Sequence, residues 1–229
     1  MKTYDVFLLD ADGTLFDYDK AEENALKSVF HKYRVDYAED VRAIYRKINQ
    51  ALWDSLEKGQ IDKSDIQVLR FKQLFDALGI ACDPKRFSDD YLIELGKGSF
   101  LIEGALEVCK SICENHGKAY IVTNGISSTQ KARLENSVIK PYIAEIFISE
   151  EIGYHKPNPL YFEYVFSHIP DVDKSKMIII GDSLSADIAG GIHAGIDSCW
   201  FNKFDSKNNT NTAPTYEIKS LTELYALIG

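Results

Sequence analysis

Short apolar runs that stop at polar residues recur along the chain. They occupy residues 6–9, 119–122 and 177–180, with a fourth near residues 199–201. Uninterrupted apolar runs this short are typical of strands buried on both faces of a parallel sheet. Helical patterns separate the runs at the spacing of βαβ units. The pattern therefore predicts an α/β fold, with a Rossmann-like parallel sheet and helices on both of its faces.

A long helical pattern interrupts this core after its first strand. Between about Phe16 and Leu95, apolar residues recur every three or four positions, and glycine and proline are few, which is typical of amphipathic helices. We therefore predict an α/β core made of residues 1–15 and 96–229, and an inserted helical domain made of residues 16–95. Aromatic residues of the insert, such as Tyr45 and Trp53, could contact a ligand, but at helical spacing they more often belong to a core.

The chain carries a strong negative charge. Its 229 residues include 26 lysines and arginines against 35 aspartates and glutamates, so the formal net charge is −9. A polyanion would be repelled over most of such a surface, and nucleic acid is not an expected partner. A small phosphorylated molecule stays possible, because one bound divalent cation and a few hydrogen-bond donors can offset the field locally.

The sequence carries no pattern typical of membrane insertion or export. No apolar run approaches the roughly 18 to 20 residues of a membrane span, and residues 1–5 lack a basic start followed by an apolar segment. Cysteines at positions 82, 109, 113 and 199 lack the close pairs of zinc sites and disulfide scaffolds. We expect a cytoplasmic protein with reduced thiols, no membrane partner, and a monomeric or small homo-oligomeric state.

Polar side chains follow the predicted strands at the point where each strand ends. Asp10 and Asp12 follow the first, Thr123 and Asn124 the second, and Asp182 the third, with Asp187 a helical turn later and Lys156 in a separate loop. These groups can converge, because ligands bind an open parallel sheet outside the carboxyl ends of its strands. Four carboxylates against one ammonium leave a formal charge of −3, which favours a bound cation. Oxygen donors without histidine or cysteine predict Mg²⁺.

Asp10 and Asp12 can face the same space, because the residue between them points away. One carboxylate could then attack a phosphoryl group in line while the other transfers protons.

Each of these residues also has an ordinary interpretation. The two aspartates could be solvated turn residues, Thr123 a helix cap, Asn124 a turn residue, and Lys156 an exposed lysine. Asp187 could simply pair with Lys156, a role that is compatible with the functional one.

Four segments of the chain, in this order, resemble the four motifs of the haloacid dehalogenase-like hydrolase superfamily. They are Asp-Ala-Asp-Gly-Thr-Leu at 10–15, Thr-Asn-Gly at 123–125, Lys-Pro at 156–157, and Gly-Asp-Ser at 181–183 followed by Asp187. The resemblance implies that Asp10 is the nucleophile and Asp12 the acid and base. It also implies that the helical insert is a cap that closes over the site and sets specificity.

The resemblance further implies the binding residues. Mg²⁺ would be held by the carboxylates of Asp10 and Asp182 and by the backbone carbonyl of Asp12, with Asp187 reaching the metal through a water or another ligand. Thr123 and Lys156 would bind phosphate, and we add Asn124 to these candidate phosphate-binding residues.

Asp12 bears on the type of reaction. The dehalogenase branch of the superfamily lacks an aspartate at this position, so Asp12 favours phosphate ester hydrolysis. Beyond the four motifs, the chain is similar to bacterial pyrimidine 5′-nucleotidases at residues 51–53, 123–130, 133–135, 148–153, 190–195 and 199–202. We therefore expect a Mg²⁺-dependent phosphomonoester hydrolase, acting on nucleoside 5′-monophosphates through a phospho-Asp10 intermediate. The alternatives are a sugar-phosphate or phosphoglycolate phosphatase, a phosphomutase, and a non-catalytic phosphate-binding regulatory protein.

Overall fold

The computed structural model describes residues 2–171 and 173–228, which form two compact units. One unit comprises the described residues up to Tyr18 and from Ser99 onward, and the other is Asp19–Gly98. Among the residues described, no helix is both long enough and apolar enough to cross a membrane.

Six parallel strands form one sheet in the described part of the first unit, in the order β3-β2-β1-β4-β5-β6. The strands are β1 (Val6–Leu9), β2 (Lys118–Thr123), β3 (Ile143–Ile148), β4 (Met177–Gly181), β5 (Asp197–Phe201) and β6 (Tyr216–Ile218). The predicted α/β fold with a parallel sheet is confirmed. The pattern did not predict β3 and β6, which lie at the two edges of the sheet and carry the polar residues Glu145 and Glu217.

The strand order places a crevice at the carboxyl ends of β1 and β4. Strands β2 and β3, which follow β1 in the chain, lie on one side of it, and the later strands β4, β5 and β6 lie on its other side. In sheets of this order, ligands bind at the topological switch point, where the strand order reverses. Asp10 lies at this point, because its backbone N–H continues the β1–β4 ladder by donating to the carbonyl of Ile180 at 2.9 Å.

Side chains alternate along β1 and thereby supply two hydrophobic layers. Phe7 and Leu9 pack on one face of the sheet and Leu8 on the other, and all three are fully buried. Helices cover both faces, namely α5 (Ala105–Glu114), α6 (Ser127–Glu135), α7 (Ser149–Ile152), α8 (Pro159–Ser167) and α9 (Ala189–Ala194). A π-helical turn, Leu184–Ile188, precedes α9, and short 3₁₀ turns occur at Lys140–Tyr142, Lys174–Lys176 and Leu221–Ala226.

The second unit is helical. Its helices are α1 (Tyr18–Lys32, whose first residue belongs to the other unit), α2 (Val41–Glu57), α3 (Lys63–Leu78) and α4 (Pro84–Lys97). The start of α4 follows directly from local sequence: the Asp83 carboxylate accepts hydrogen bonds from the N–H groups of Lys85 and Arg86, and Pro84 occupies the first helical position. Both features satisfy or remove donors that a helix leaves unpaired at its beginning.

An aromatic cluster fills the interior of the helical unit. The ring of Phe71 lies 4.9 Å from that of Phe87, 5.1 Å from Tyr91 and 5.6 Å from Tyr45, measured between centroids. All four side chains are completely buried. Tyr45 is therefore a core residue, as the helical spacing favoured.

Because Phe71 is the centre of this cluster, we expect Phe71→Ala to destabilise the helical unit by about 3 to 5 kcal/mol through lost burial and the cavity left behind. Native-state hydrogen exchange at the amides of α3 and α4 would measure the loss within this unit. Ile93→Ala is the matched control, because Ile93 lies on α4 and is 61% exposed; we expect a change within about 0.5 kcal/mol. Equal effects of the two substitutions would contradict the assignment of Phe71 to the centre of the core.

Candidate active site

A buried lysine lies between two carboxylates at the end of β1. The Lys156 ammonium donates to Oδ1 of Asp10, to Oδ1 of Asp187 and to the backbone carbonyl of Val122, each at 2.7 Å. Lys156 and Asp187 are each 1% exposed and Asp10 is 8% exposed. All three ammonium hydrogens therefore have acceptors. Burial by itself lowers the pKa of Lys156, but Asp10 and Asp187 more than offset this, so the net pKa is raised and the lysine stays charged.

The loop that carries Lys156 is held by Asn124. The side-chain amide of Asn124 donates to the carbonyl of Lys156, and its oxygen accepts from the N–H of Lys156, both at 2.9 Å. The residue after β2 thus fixes the backbone of the lysine. The role of Asn124 as a phosphate contact stays a prediction.

Asp187 is placed by the turn after β4. Its Oδ2 accepts from the N–H of Ser183 at 3.1 Å, and its side chain lies tightly against Gly181. A Cβ atom added at Gly181 would lie 2.1 Å from Asp187 Oδ2, so only glycine leaves room for the carboxylate. The π-helical turn Leu184–Ile188 carries Asp187, and such turns occur frequently at functional sites. The indole N–H of Trp200 on β5 fixes the same turn by donating to the carbonyl of Asp182 at 2.9 Å.

In the described part of the chain, one group of three acidic side chains is arranged to hold a metal ion. Asp10, Asp182 and Asp187 each offer a carboxylate oxygen, and these oxygens lie within 4.8 Å of one another. Oxygen-only donors fit a hard divalent cation such as Mg²⁺. Burial raises the pKa of Asp10 well above its usual value, with Lys156 opposing the rise and Asp187 and Asp182 adding to it. Asp182 is exposed as a residue, but loss of hydration at its carboxylate, together with the charge of Asp187, raises its pKa to about 7.

The carboxylate of Asp12 has different partners from that of Asp10. Its Oδ2 accepts from the Gln130 side-chain amide at 2.5 Å, and its Oδ1 forms an ion pair with Nη1 of Arg133. Both partners lie on α6 and are buried. They were not predicted, and Arg133 changes the charge: four carboxylates now face two cations. Thr129, Gln130 and Arg133 form a buried polar face on α6, but polar residues at helical spacing ordinarily face solvent, so the sequence alone carried no signal for these partners.

Thr123 ends β2 with its hydroxyl buried. Its Oγ1 accepts a hydrogen bond from the N–H of Gly125 at 3.0 Å, so it closes a local turn and does not cap α6, which begins at Ser127. The hydroxyl hydrogen is still available for donation. The structure thus brings Asp10, Lys156, Asp182 and Asp187 together, with Thr123 and Asp12 at the ends of the adjoining β2 and β1.

This geometry agrees with the family match. Residues 7–201 match the model of the family described as haloacid dehalogenase-like hydrolase. The chain belongs to this family. As a member of the haloacid dehalogenase-like hydrolases, it carries the two aspartates, the lysine and the acidic turn on the elements that the four motifs predicted.

Relatives cover nearly the whole hydrolase chain. The pyrimidine 5′-nucleotidase PynA of Streptococcus pneumoniae is 36% identical over 96% of this chain and 93% of its own. The pyrimidine 5′-nucleotidase YjjG of Escherichia coli is 31% identical over 98% of each chain. The crystal structure of YfnB from Bacillus subtilis, bound to magnesium, is 38% identical, covers 100% of both chains and gives a TM-score of 0.94. The predicted family, its likeness to pyrimidine 5′-nucleotidases and the enzyme class, a phosphoric monoester hydrolase, are confirmed.

The raised pKa values determine the sign of a pH effect on the stability of this hydrolase. A carboxyl group whose pKa is higher in the folded than in the unfolded protein binds more protons when folded, so its contribution to stability falls as pH rises between the two values. For Asp182 this interval runs from 3.8 to about 7. Mg²⁺ would pair with the ionised carboxylates and remove the penalty. We therefore expect the rise in melting temperature caused by Mg²⁺ to be larger at about pH 7.5 than at about pH 5.

Two variants sharpen this measurement. Asp182→Asn removes one ionising group, so at neutral pH the metal-free protein should become more stable and the shift caused by Mg²⁺ should shrink. Asp76→Asn makes the same chemical change at an exposed position on α3 and should leave the shift intact. A shift that is independent of pH, or equal in the two variants, would count against a cation site at these carboxylates.

Proposed function

We propose that this protein is a Mg²⁺-dependent phosphatase that hydrolyses nucleoside 5′-monophosphates, with pyrimidine nucleotides preferred. The observation that carries the proposal is the pair of aspartates after β1, of which Asp10 lies 2.7 Å from the Lys156 ammonium and beside Asp182, whereas Asp12 binds Arg133 and Gln130. Two carboxylates in such different surroundings can take different roles in one reaction.

The first step is phosphoryl transfer to Asp10. A carboxylate oxygen of Asp10 forms a bond to phosphorus while the bond between phosphorus and the nucleoside oxygen breaks, and the proton carried by Asp12 goes to that oxygen. Lys156 and the Thr123 hydroxyl offset the charge of the phosphoryl oxygens. Mg²⁺, held by the carboxylates of Asp10 and Asp182 and the carbonyl of Asp12, would supply further positive charge to those oxygens.

The second step returns the enzyme to its starting state. Water attacks the phosphorus of phospho-Asp10, and Asp12 takes the proton that the water loses. The bond between phosphorus and the Asp10 oxygen breaks, which releases inorganic phosphate and the Asp10 carboxylate. Asp187 acts through Lys156. It accepts a hydrogen bond from the Lys156 ammonium at 2.7 Å and so keeps that charge in position.

The substrate is inferred from the relatives. PynA and YjjG, both named pyrimidine 5′-nucleotidases, are similar to this chain across its helical unit as well as its sheet. This supports a role for the helical insert as the specificity cap.

The net charge of −9 disfavours nucleic acid as a competing ligand. The four cysteines, all within the described residues, are free thiols, which supports a location in the reducing cytoplasm.

Replacing the nucleophile tests the reaction. We expect Asp10→Asn to lower turnover of UMP and of p-nitrophenyl phosphate by about 10⁴-fold or more, because the amide cannot form the phospho-enzyme. Asp5→Asn, at an exposed position just before β1 and therefore at the opposite end of that strand from Asp10, is the control and should keep full activity. EDTA should abolish turnover of the wild-type protein and added Mg²⁺ should restore it. Robust activity of Asp10→Asn, or of the wild type in EDTA, would refute the proposed mechanism.

A substrate panel tests the leaving group. We expect kcat/KM for UMP, dUMP and dTMP to exceed that for phosphoglycolate and simple sugar phosphates by about 10-fold or more, which corresponds to about 1.4 kcal/mol of additional transition-state binding. A preference for phosphoglycolate or sugar phosphates would refute the nucleotidase assignment and favour a phosphoglycolate or sugar-phosphate phosphatase. Accumulation of an isomerised sugar phosphate would indicate a phosphomutase.

A further inference from the structure

We infer that Arg133 and Gln130 are positioning residues that hold Asp12 as the proton donor to the leaving group. The inference rests on the proposed function and assigns the two residues a part in its first step. Each oxygen of the Asp12 carboxylate has its own partner: Gln130 Nε2 lies 2.5 Å from Oδ2, and Arg133 Nη1 contacts Oδ1.

Two-point contact determines the orientation of a carboxylate. One hydrogen bond would leave Asp12 free to rotate about its side-chain bonds, whereas donors at both oxygens fix the plane of the group. The ion pair with Arg133 belongs to the ionised form of Asp12, but both donors can stay bound when Asp12 takes up a proton, because a protonated carboxyl group keeps acceptor capacity on each oxygen while it donates its hydrogen elsewhere. The contacts of Gln130 and Arg133 can therefore persist while Asp12 gives its proton to the leaving oxygen.

The burial of Arg133 argues against a role in stability alone. The side chain is completely buried, its guanidinium carbon lies 5.5 Å from the centre of the Phe16 ring, and its Nε and Nη2 hydrogen-bond to none of the described residues. Apolar residues in place of a buried ion pair are often as stable or more stable. An arginine that is incompletely satisfied in the interior is better explained by a role of its ion pair with Asp12 in the reaction.

The placement of Gln130 depends on the turn after β2. A Cβ atom added at Gly125 would lie 2.2 Å from Nε2 of Gln130 and 2.8 Å from its Cγ. The absence of a side chain at Gly125 therefore creates the space that Gln130 occupies on its way to Asp12. The same glycine donates its N–H to Thr123 at 3.0 Å. The turn at Gly125 thus positions both the Thr123 hydroxyl, a candidate phosphate-binding group, and the Gln130 side chain that binds Asp12.

A positioning role of this kind has a distinctive kinetic consequence. Protonation of the leaving oxygen matters most for a basic alkoxide such as the 5′-oxygen of a nucleoside, and little for a stable anion such as p-nitrophenolate. The ratio kcat/KM reports the steps up to phosphoryl transfer and omits hydrolysis of the phospho-enzyme, which is common to all substrates. Loss of the support should therefore reduce kcat/KM selectively for nucleotides.

The experiment compares UMP with p-nitrophenyl phosphate in purified full-length variants. We expect Arg133→Met to lower kcat/KM for UMP by about 10²-fold and that for p-nitrophenyl phosphate by about 3-fold or less, in line with the loss of general acid catalysis. Arg133→Lys, which keeps the charge, should recover part of the activity on UMP. Gln130→Leu should show the same selectivity with a smaller loss, and it carries the test if Arg133→Met does not fold.

Lys131→Met is the control, because it removes an exposed cation from the same helix and should change neither substrate. Equal losses on both substrates, or no loss on either, would overturn the inference and leave the proposed function standing. A wild-type protein that hydrolyses neither substrate would instead refute the proposed function, and the inference with it.

Discussion

Repulsion among carboxylates at the carboxyl ends of β1 and β4 is the constraint to which the rest of this structure responds. Asp10, Asp182 and Asp187 bring oxygens within 4.8 Å of one another, and each ionised neighbour makes ionisation of the next less favourable. Lys156 offsets part of this repulsion by donating to two of the three at 2.7 Å. Its effect depends on burial, since a charge separated from water acts more strongly on its neighbours. The remaining negative charge makes the cluster receptive to a hard cation.

The groups that maintain this arrangement are mostly uncharged. Lys156 belongs to a loop, and its backbone is held by both ends of the Asn124 amide. The acidic turn after β4 is held by the Trp200 indole and by the fit of Asp187 against Gly181. Hydrogen bonds between neutral groups do not alter the charge of the site, so they can fix the charged side chains without weakening their interaction with a ligand. For the backbone of Lys156 and for the acidic turn, positioning is thereby supplied mainly by residues that carry no charge.

The sequence predicted those parts of the molecule whose pattern is local. Strands β1, β2 and β4 are buried on both faces. The convergence of the polar residues at or just after their carboxyl ends follows from the topology of a parallel sheet. The edge strands β3 and β6 were missed because half-exposed strands with polar residues resemble loops. Arg133 was missed for another reason. An arginine on a helix ordinarily faces solvent, and its partner Asp12 lies 121 positions away, so no local pattern distinguishes a buried arginine from an exposed one.

Arg133 also explains how two aspartates so close in sequence can differ in chemistry. Counted from the motifs alone, all four carboxylates share one ammonium. In the structure they divide into two groups: Asp10, Asp182 and Asp187 lie together, with Lys156 bound to two of them, whereas Asp12 turns to α6 and pairs with Arg133. A cation bound by the first group would act directly on Asp10, the proposed nucleophile, while the side chain of Asp12, the proposed acid, keeps its own partners. Separation of the partners, more than separation along the chain, is what would allow one turn to hold the two proposed roles, nucleophile and acid.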